Sequence, residues 1–205
     1  MESNVIDELI IFGAGGHAIT VSEVAIINSP DIKITFVGES PEERIFNFPV
    51  VSEIKNPKGK KFIVGIGNNT LRKSVYVECL RDGMIPVSII SKQAYIGLES
   101  KIGKGSFIGN RCVTGAMSEM GENCILNASS QLSHEVVLSS HSQLGPLSIA
   151  GGKTKIGSDV FIGIGGVVID RISICNDVII GANSTVIKDI DKPGTYVGSP
   201  VRKVK

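Results

Sequence analysis

The sequence predicts two units in series: a small parallel α/β domain over residues 1–85 and an all-β parallel helix of strands over residues 86–205. Three observations predict it. An aliphatic residue recurs every sixth position from Ile96 onward. The chain has 24 glycines, no tryptophan and abundant Ile and Val, a composition that favours thin strands and tight turns. The first half instead alternates short apolar runs with segments at helical spacing.

The N-terminal elements follow in order. Leu9 to Gly13 reads as a buried strand, Ala14-Gly15-Gly16-His17 as a glycine turn, and Ala18 to Ile27 as an amphipathic helix. Strands are expected at Ile32 to Val37 and Lys61 to Ile66, a helix from about Thr70 to Asp82, and a short strand from Ile85 to Ile90. Alternating strands and helices predict a parallel sheet. A unit of this size makes about half of a dinucleotide-binding fold, so a nucleoside diphosphate suits it better than a dinucleotide.

Stepping by six gives Ile96, Ile102, Ile108, Thr114, Met120, Leu126, Leu132, Leu138, Leu144, Ala150, Ile156, Ile162, Val168, Ile174, Ile180 and Val186, and only Thr114 is not aliphatic. Glycine often comes next, and a small or β-branched residue stands two positions before the following aliphatic one. A helix of about 3.6 residues per turn cannot keep such a stripe on one face. A coil with three flat faces can, with eighteen residues per coil and about 4.8 Å between stacked coils. The repeat alone leaves the hand of the coil open.

Charge and composition exclude several functions. With 21 basic and 20 acidic side chains, there is no cationic field for nucleic acid. The acidic N-terminus lacks a signal-peptide layout and no apolar run approaches a membrane span, so a cytoplasmic protein without membrane insertion is expected. Cys79, Cys112, Cys124 and Cys175 form no CxxC pair and read as small buried fillers, with no metal expected.

The glycine turn at the carboxyl end of the first strand places helix N–H groups where a phosphate can sit. A tight turn with no ligand is the plain alternative. Gly13, Gly15 and Ala18 match a dinucleotide fingerprint that is weak alone. His17, Gly65-Ile66-Gly67-Asn68-Asn69 and Arg72 together suggest a convergent polar cleft.

Phe12 to His17, Gly65 to Arg72, Ile125 to Glu135 and Gly194 to Pro200, in that order on this two-unit plan, resemble the hexapeptide-repeat sugar O- and N-acyltransferases. These include sialic acid O-acetyltransferases and UDP-4-amino-sugar N-acetyltransferases. The resemblance implies an N-terminal half-Rossmann-like unit, a left-handed parallel β-helix, a homotrimer, and acetyl-CoA as co-substrate bound between neighbouring subunits. It makes His134 the catalytic base and Glu135 the group that raises its basicity. Gly15, Gly16, His17, Gly38, Glu39 and Gly67 would bind the nucleotide sugar. Gln143, Ile164 and Ala182 would contact acetyl-CoA, with Gln143 standing where the family carries histidine.

His134 is third in its hexad and is expected to point outward beside Glu135, suited to taking a proton near neutral pH. His141 reads as structural or peripheral. Two histidines in the repeat region do not make the three-histidine zinc site of β-helical carbonic anhydrases. The expected reaction is N-acetylation of a UDP-4-amino-sugar. Sialic acid O-acetylation and a non-catalytic scaffold are the alternatives. The basic tail from Lys188 to Lys205 places cations near the coenzyme's phosphates or is merely solvated.

Overall fold

A computed structural model describes residues 6–39 and 43–205. The stretch read above as unlike a signal peptide therefore lies mostly outside the described residues. Among the described residues, no helix is long and apolar enough to cross a membrane.

The α/β unit contains β1 (Glu8–Phe12), α1 (Gly16–Asn28), β2 (Lys33–Val37), β3 (Arg44–Ile45), β4 (Phe48–Val51), β5 (Lys61–Val64), α2 (Asn69–Arg81) and β6 (Ile85–Pro86). Its sheet runs β3-β4-β2-β1-β5-β6, parallel except for the β3–β4 hairpin. Alternation along β1 sorts its side chains to two cores. Leu9 and Ile11 pack with Ala18, Val21 and Val24 of α1, while Ile10 packs with Tyr76 and Cys79 of α2. Gly65 is glycine because a Cβ there would lie 2.7 Å from the Ala18 backbone, which lets α1 approach the end of β5.

The Ile85 to Ile90 run is two strands. Ile85–Pro86 completes the α/β sheet, and Ile89–Ile90 is the first rung of the next unit. The aliphatic phase thus reaches back one hexad further than Ile96. The β3–β4 hairpin was not expected from sequence either, because its strands are short and only partly buried.

Beyond it stands a left-handed parallel β-helix with three faces. The first face carries Ile89–Ile90, Phe107–Ile108, Ile125–Leu126, Gln143–Leu144, Phe161–Ile162 and Val178–Ile180, and ends in a hairpin of Gly194–Gly198 with Val201–Lys203. The second runs from Tyr95–Ile96 to Thr185–Val186, and the third from Lys101–Ile102 to Ser173–Ile174. Register pairs each residue with the one eighteen positions on, as in Phe107 with Ile125. From Ile108 onward the aliphatic stride-six residues fill the interior as one buried cluster, while Ile96 and Ile102 at the open end are only partly covered. Thr114, the exception, is 1% exposed and donates its hydroxyl to the Tyr95 carbonyl.

The small residues have a second reason. Ser100, Ser106, Cys112, Ser142 and Thr154 each donate to the carbonyl fifteen residues on, at a corner of the next coil. A short side chain bearing a donor satisfies a buried acceptor there, whereas Val136, Val160 and Val178 at the same position only fill space. Cys79, Cys112 and Cys124 are buried and unpaired.

The α/β unit stands on the first face. Ile89, Phe107 and Ile125 point outward from the prism into the α1-side core, each burial contributing roughly 2 kcal/mol. Arg72, 1% exposed, fastens the second contact. Its Nε donates to Asn123 O at 3.1 Å and its Nη2 to His141 O at 2.7 Å and Asn69 Oδ1 at 2.8 Å. Nη1 reaches Ile66 O and Gly67 O at 3.3 Å. Burial lowers the guanidinium pKa to about 10, leaving it charged at neutral pH. Arg72→Met strands these acceptors and should cost about 3 kcal/mol. The thermal midpoint should fall by roughly 6–12 °C, measurable by calorimetry. An unchanged midpoint would contradict this fastening role.

Candidate active site

The expected sugar-nucleotide residues sit on adjacent turns. β2, β1 and β5 are neighbours in the sheet. Gly38 and Glu39 follow β2, Gly15, Gly16 and His17 follow β1, and Gly67 follows β5. The turns touch: Gly13 N donates to Val37 O and Gly65 N donates to Phe12 O, both at 2.7 Å. Gly38 has φ +155° and leaves room for a Cβ only 3.5 Å from the Ala14 nitrogen. Glu39 is exposed.

Most glycines in this chain have a local reason, either a positive φ or a neighbour pressed against the missing Cβ. Gly15, Gly16 and Gly67 have neither: their φ angles are not in the left-handed region and no atom lies within 4 Å of a Cβ built on them. Glycine there leaves space in front of the sheet edge. At the same edge, α1 starts with Gly15 at its N-cap and no side-chain cap, so its first N–H groups remain available to an anion. By contrast, Asn68 caps α2 by accepting from Leu71 N at 2.9 Å.

His17 is held by packing. Its ring meets Phe107 edge-on at 5.3 Å between centroids, and its Nε2 is sealed from solvent without a hydrogen-bond partner. Burial, and next the Arg72 charge, lower its pKa to about 4. It is a neutral ring at physiological pH. The unfolded chain, with a His pKa near 6.5, binds more protons than the folded one between those values. Stability is therefore complete above about pH 6.5 and falls toward pH 4, by up to about 3 kcal/mol from this residue. His17→Gln should shrink the loss of thermal midpoint between pH 7 and pH 5. An identical pH dependence in both proteins would contradict this assignment.

Arg72 does not line the cleft, because it is consumed by the domain contact described above. The cleft itself, about 370 Å³, runs from the start of α2 onto the uncovered part of the first face. Gly67, Asn68, Asn69 and Thr70 form one wall, with Gln143, Phe161 and Ile179 on the other beside Asp159 and Asp177. Lys73 pairs with Asp159 at 2.6 Å, and Asn69 Nδ2 donates to Val160 O at 3.2 Å. Phe161 and Ile179 stand one and two coils above Gln143, so the eighteen-residue spacing carried a signal for them. His141 is structural: its Nδ1 accepts from Asn123 Nδ2 at 2.9 Å and its ring lies 5.9 Å from that of Tyr76. Burial lowers its pKa.

Ile164 and Ala182 lie one coil apart at the corner between the first and second faces. Ile164 is 54% exposed, and Ala182 is exposed beside it. Together they put two exposed apolar side chains at this corner. Gln143 is on the adjoining face, in the cleft. Arg202 and Lys203 lie on the end hairpin and are exposed.

His134 and Glu135 occupy the corner between the second and third faces. The His134 side chain is 60% exposed, and its Nδ1 lies 3.2 Å from Glu135 Oε2. Since a carboxylate only accepts, the ring proton belongs on Nδ1 and the lone pair on Nε2. The His134 hydrogen bond, followed by Lys153 at 3.4 Å, holds the Glu135 pKa below its usual value.

In a triangular prism this corner is the edge opposite the first face. His134 and the cleft of the same chain therefore sit on opposite sides of the prism, and no single chain brings all the candidate residues together.

Residues 8–79 match the PglD N-terminal domain family. The acetyltransferase domain of PglB from Neisseria gonorrhoeae, solved with acetyl coenzyme A, superposes with a TM-score of 0.91 at 24% identity, covering 98% of this chain and 100% of that one. WeeI from Acinetobacter baumannii superposes with a TM-score of 0.88 at 21% identity, covering 96% and 99%. Perosamine N-acetyltransferase from Caulobacter crescentus is 25% identical, with a TM-score of 0.91 over 98% of both chains. That structure is of a histidine-to-asparagine variant with CoA and GDP-perosamine. With the glycine turns at the carboxyl end of the sheet and the six-residue prism both in place, the chain carries a PglD N-terminal domain over residues 8–79 and shares its two-unit fold with these acetyltransferases.

Proposed function

We propose that this protein transfers the acetyl group of acetyl-CoA to the amine of a nucleotide-linked amino sugar, in a site assembled between two copies of the chain. The observation that carries the acceptor is the set of open glycines, Gly15, Gly16 and Gly67, beside an uncapped helix N-terminus. That edge suits a diphosphate, with Gly38 and Glu39 on the nucleoside side and His17 donating one neutral ring N–H. Relatedness to an enzyme solved with CoA and GDP-perosamine supports both the donor and the class of acceptor.

His134 takes a proton from the sugar amine at Nε2 while Glu135 faces Nδ1. The amine attacks the thioester carbon directly, the C–S bond breaks and CoA leaves as the thiol, with no acyl-enzyme needed. Gln143, Ile164 and Ala182 hold the acetyl-CoA arm. A homotrimer of parallel prisms sets the His134 corner of one subunit against the cleft of the next. Both substrates are cytoplasmic metabolites, which places the reaction there.

The acceptor is assigned as a UDP-4-amino-sugar, and the GDP-linked counterpart is the second reading because of the perosamine enzyme. Free thiol release from acetyl-CoA, followed with UDP-, GDP- and dTDP-linked 4-amino-sugars and with free or CMP-linked sialic acid, separates them. Turnover with a UDP-4-amino-sugar is expected to exceed all others. Preference for the GDP sugar would move the nucleotide assignment, and turnover only with sialic acid would overturn the amine acceptor.

A further inference from the structure

Gly152 falls outside the glycine pattern of the prism. The repeat glycine of its hexad is Gly151, and at most hexads the next position carries a side chain, such as Ala116, Ala128, His134 or Ile164. Its φ is not in the left-handed region, so its backbone does not require glycine. What lies over it is one side chain. A Cβ at Gly152 would stand 2.6 Å from His134 Nε2, 2.8 Å from Cε1 and 3.2 Å from Cδ2, and these are its three nearest atoms. At repeat glycines such as Gly97 and Gly103, the obstruction is backbone of the next coil.

Gly152 is eighteen residues beyond His134, so the imidazole lies along the prism edge onto the following coil. The backbone beneath it cannot easily retreat. Gly152 N donates to Asp170 Oδ1 at 2.8 Å, Arg171 N donates to Gly152 O at 2.9 Å, and Lys153 N donates to His134 O at 3.0 Å. A methyl group on Gly152 would therefore displace the ring and not the coil. Displacement moves Nε2 and also disturbs the 3.2 Å contact of Nδ1 with Glu135.

We infer that Gly152 is a positioning residue for His134: it is the bare floor on which the ring rests, and Asp170 and Arg171 hold that floor in place. This rests on the reading of His134 as the base. Misplacing a reacting group by about 1 Å costs on the order of 10²-fold in rate.

The test is a double-mutant cycle in acetyl-CoA-dependent thiol release, using Gly152→Ala, His134→Ala and the pair. Gly152→Ala is expected to lower kcat by about 10²-fold, with the KM for acetyl-CoA unchanged. In the His134→Ala background, the same alanine should cost nothing further. Full activity of Gly152→Ala beside an inactive His134→Ala would overturn the positioning role and leave the base intact. Losses that multiply in the double variant would also overturn it, since Gly152 would then act independently of the ring. If His134→Ala itself stays active, the base assignment is what fails. If Gly152→Ala melts early, the double variant should regain the His134→Ala midpoint because the obstructing ring is gone. A midpoint that stays low would overturn the inference.

Discussion

Replacing His134 by alanine is expected to lower kcat by about 10²- to 10⁴-fold, the usual contribution of a positioned general base. The KM values for acetyl-CoA and the sugar should change little, because the ring acts on the proton in flight while the turns and the cleft hold the substrates. The fold should be untouched: the side chain is 60% exposed, and its backbone bonds to the next coil remain. Glu135→Gln should give a smaller loss in the same parameter, since the amide can still accept from Nδ1 but carries no charge to favour the imidazolium. Steady-state kinetics on the two variants check both statements. A larger loss for Glu135→Gln than for His134→Ala would mean that Glu135 is the base.

Mixing two inactive proteins is expected to restore activity. The cleft lies on the first face and His134 on the opposite edge, so one variant can lack the base while the other lacks the cleft. Gly67→Trp serves for the second, because a Cβ at Gly67 meets nothing within 4 Å and the residue lines the cleft that the indole would occupy. Each variant alone should be nearly silent. After dissociation and reassembly as an equal mixture, roughly a quarter of the sites should join an intact His134 to an intact cleft. Recovery of about that share of parental kcat is the expected result. If both halves of a site came from one chain, no mixture would recover activity.

The prism was legible in the sequence because its interior admits one aliphatic residue per hexad and tolerates no slip, so the stride of six from Ile108 to Val186 is the core itself, with the exposed Ile96 and half-buried Ile102 at its open end. The position of His134 outside that stride also gave its exposure. The Ile85 to Ile90 run was harder, because one apolar stretch serves two sheets and no local signal marks the change at Val87 and Ser88. Arg72 was misjudged for a related reason. A cation after a glycine turn suggests a phosphate ligand, and only the docking of α2 on the prism shows that five protein acceptors already surround it. Phe161, Ile179 and Gly152 were within reach of the sequence by adding eighteen to Gln143 and His134. What the spacing could not give is the face on which the α/β unit stands. That choice depends on the outward residues Ile89, Phe107 and Ile125, which look ordinary within their hexads.

The central claim, acetyl transfer to the amine of a nucleotide sugar, is tested most directly by mass spectrometry of the sugar nucleotide after incubation with acetyl-CoA and the protein. The account predicts a product heavier by one acetyl group that survives mild base, as an amide does. Nucleotide amino sugars recovered unmodified, or an acetyl group lost to mild base as an ester, would contradict it.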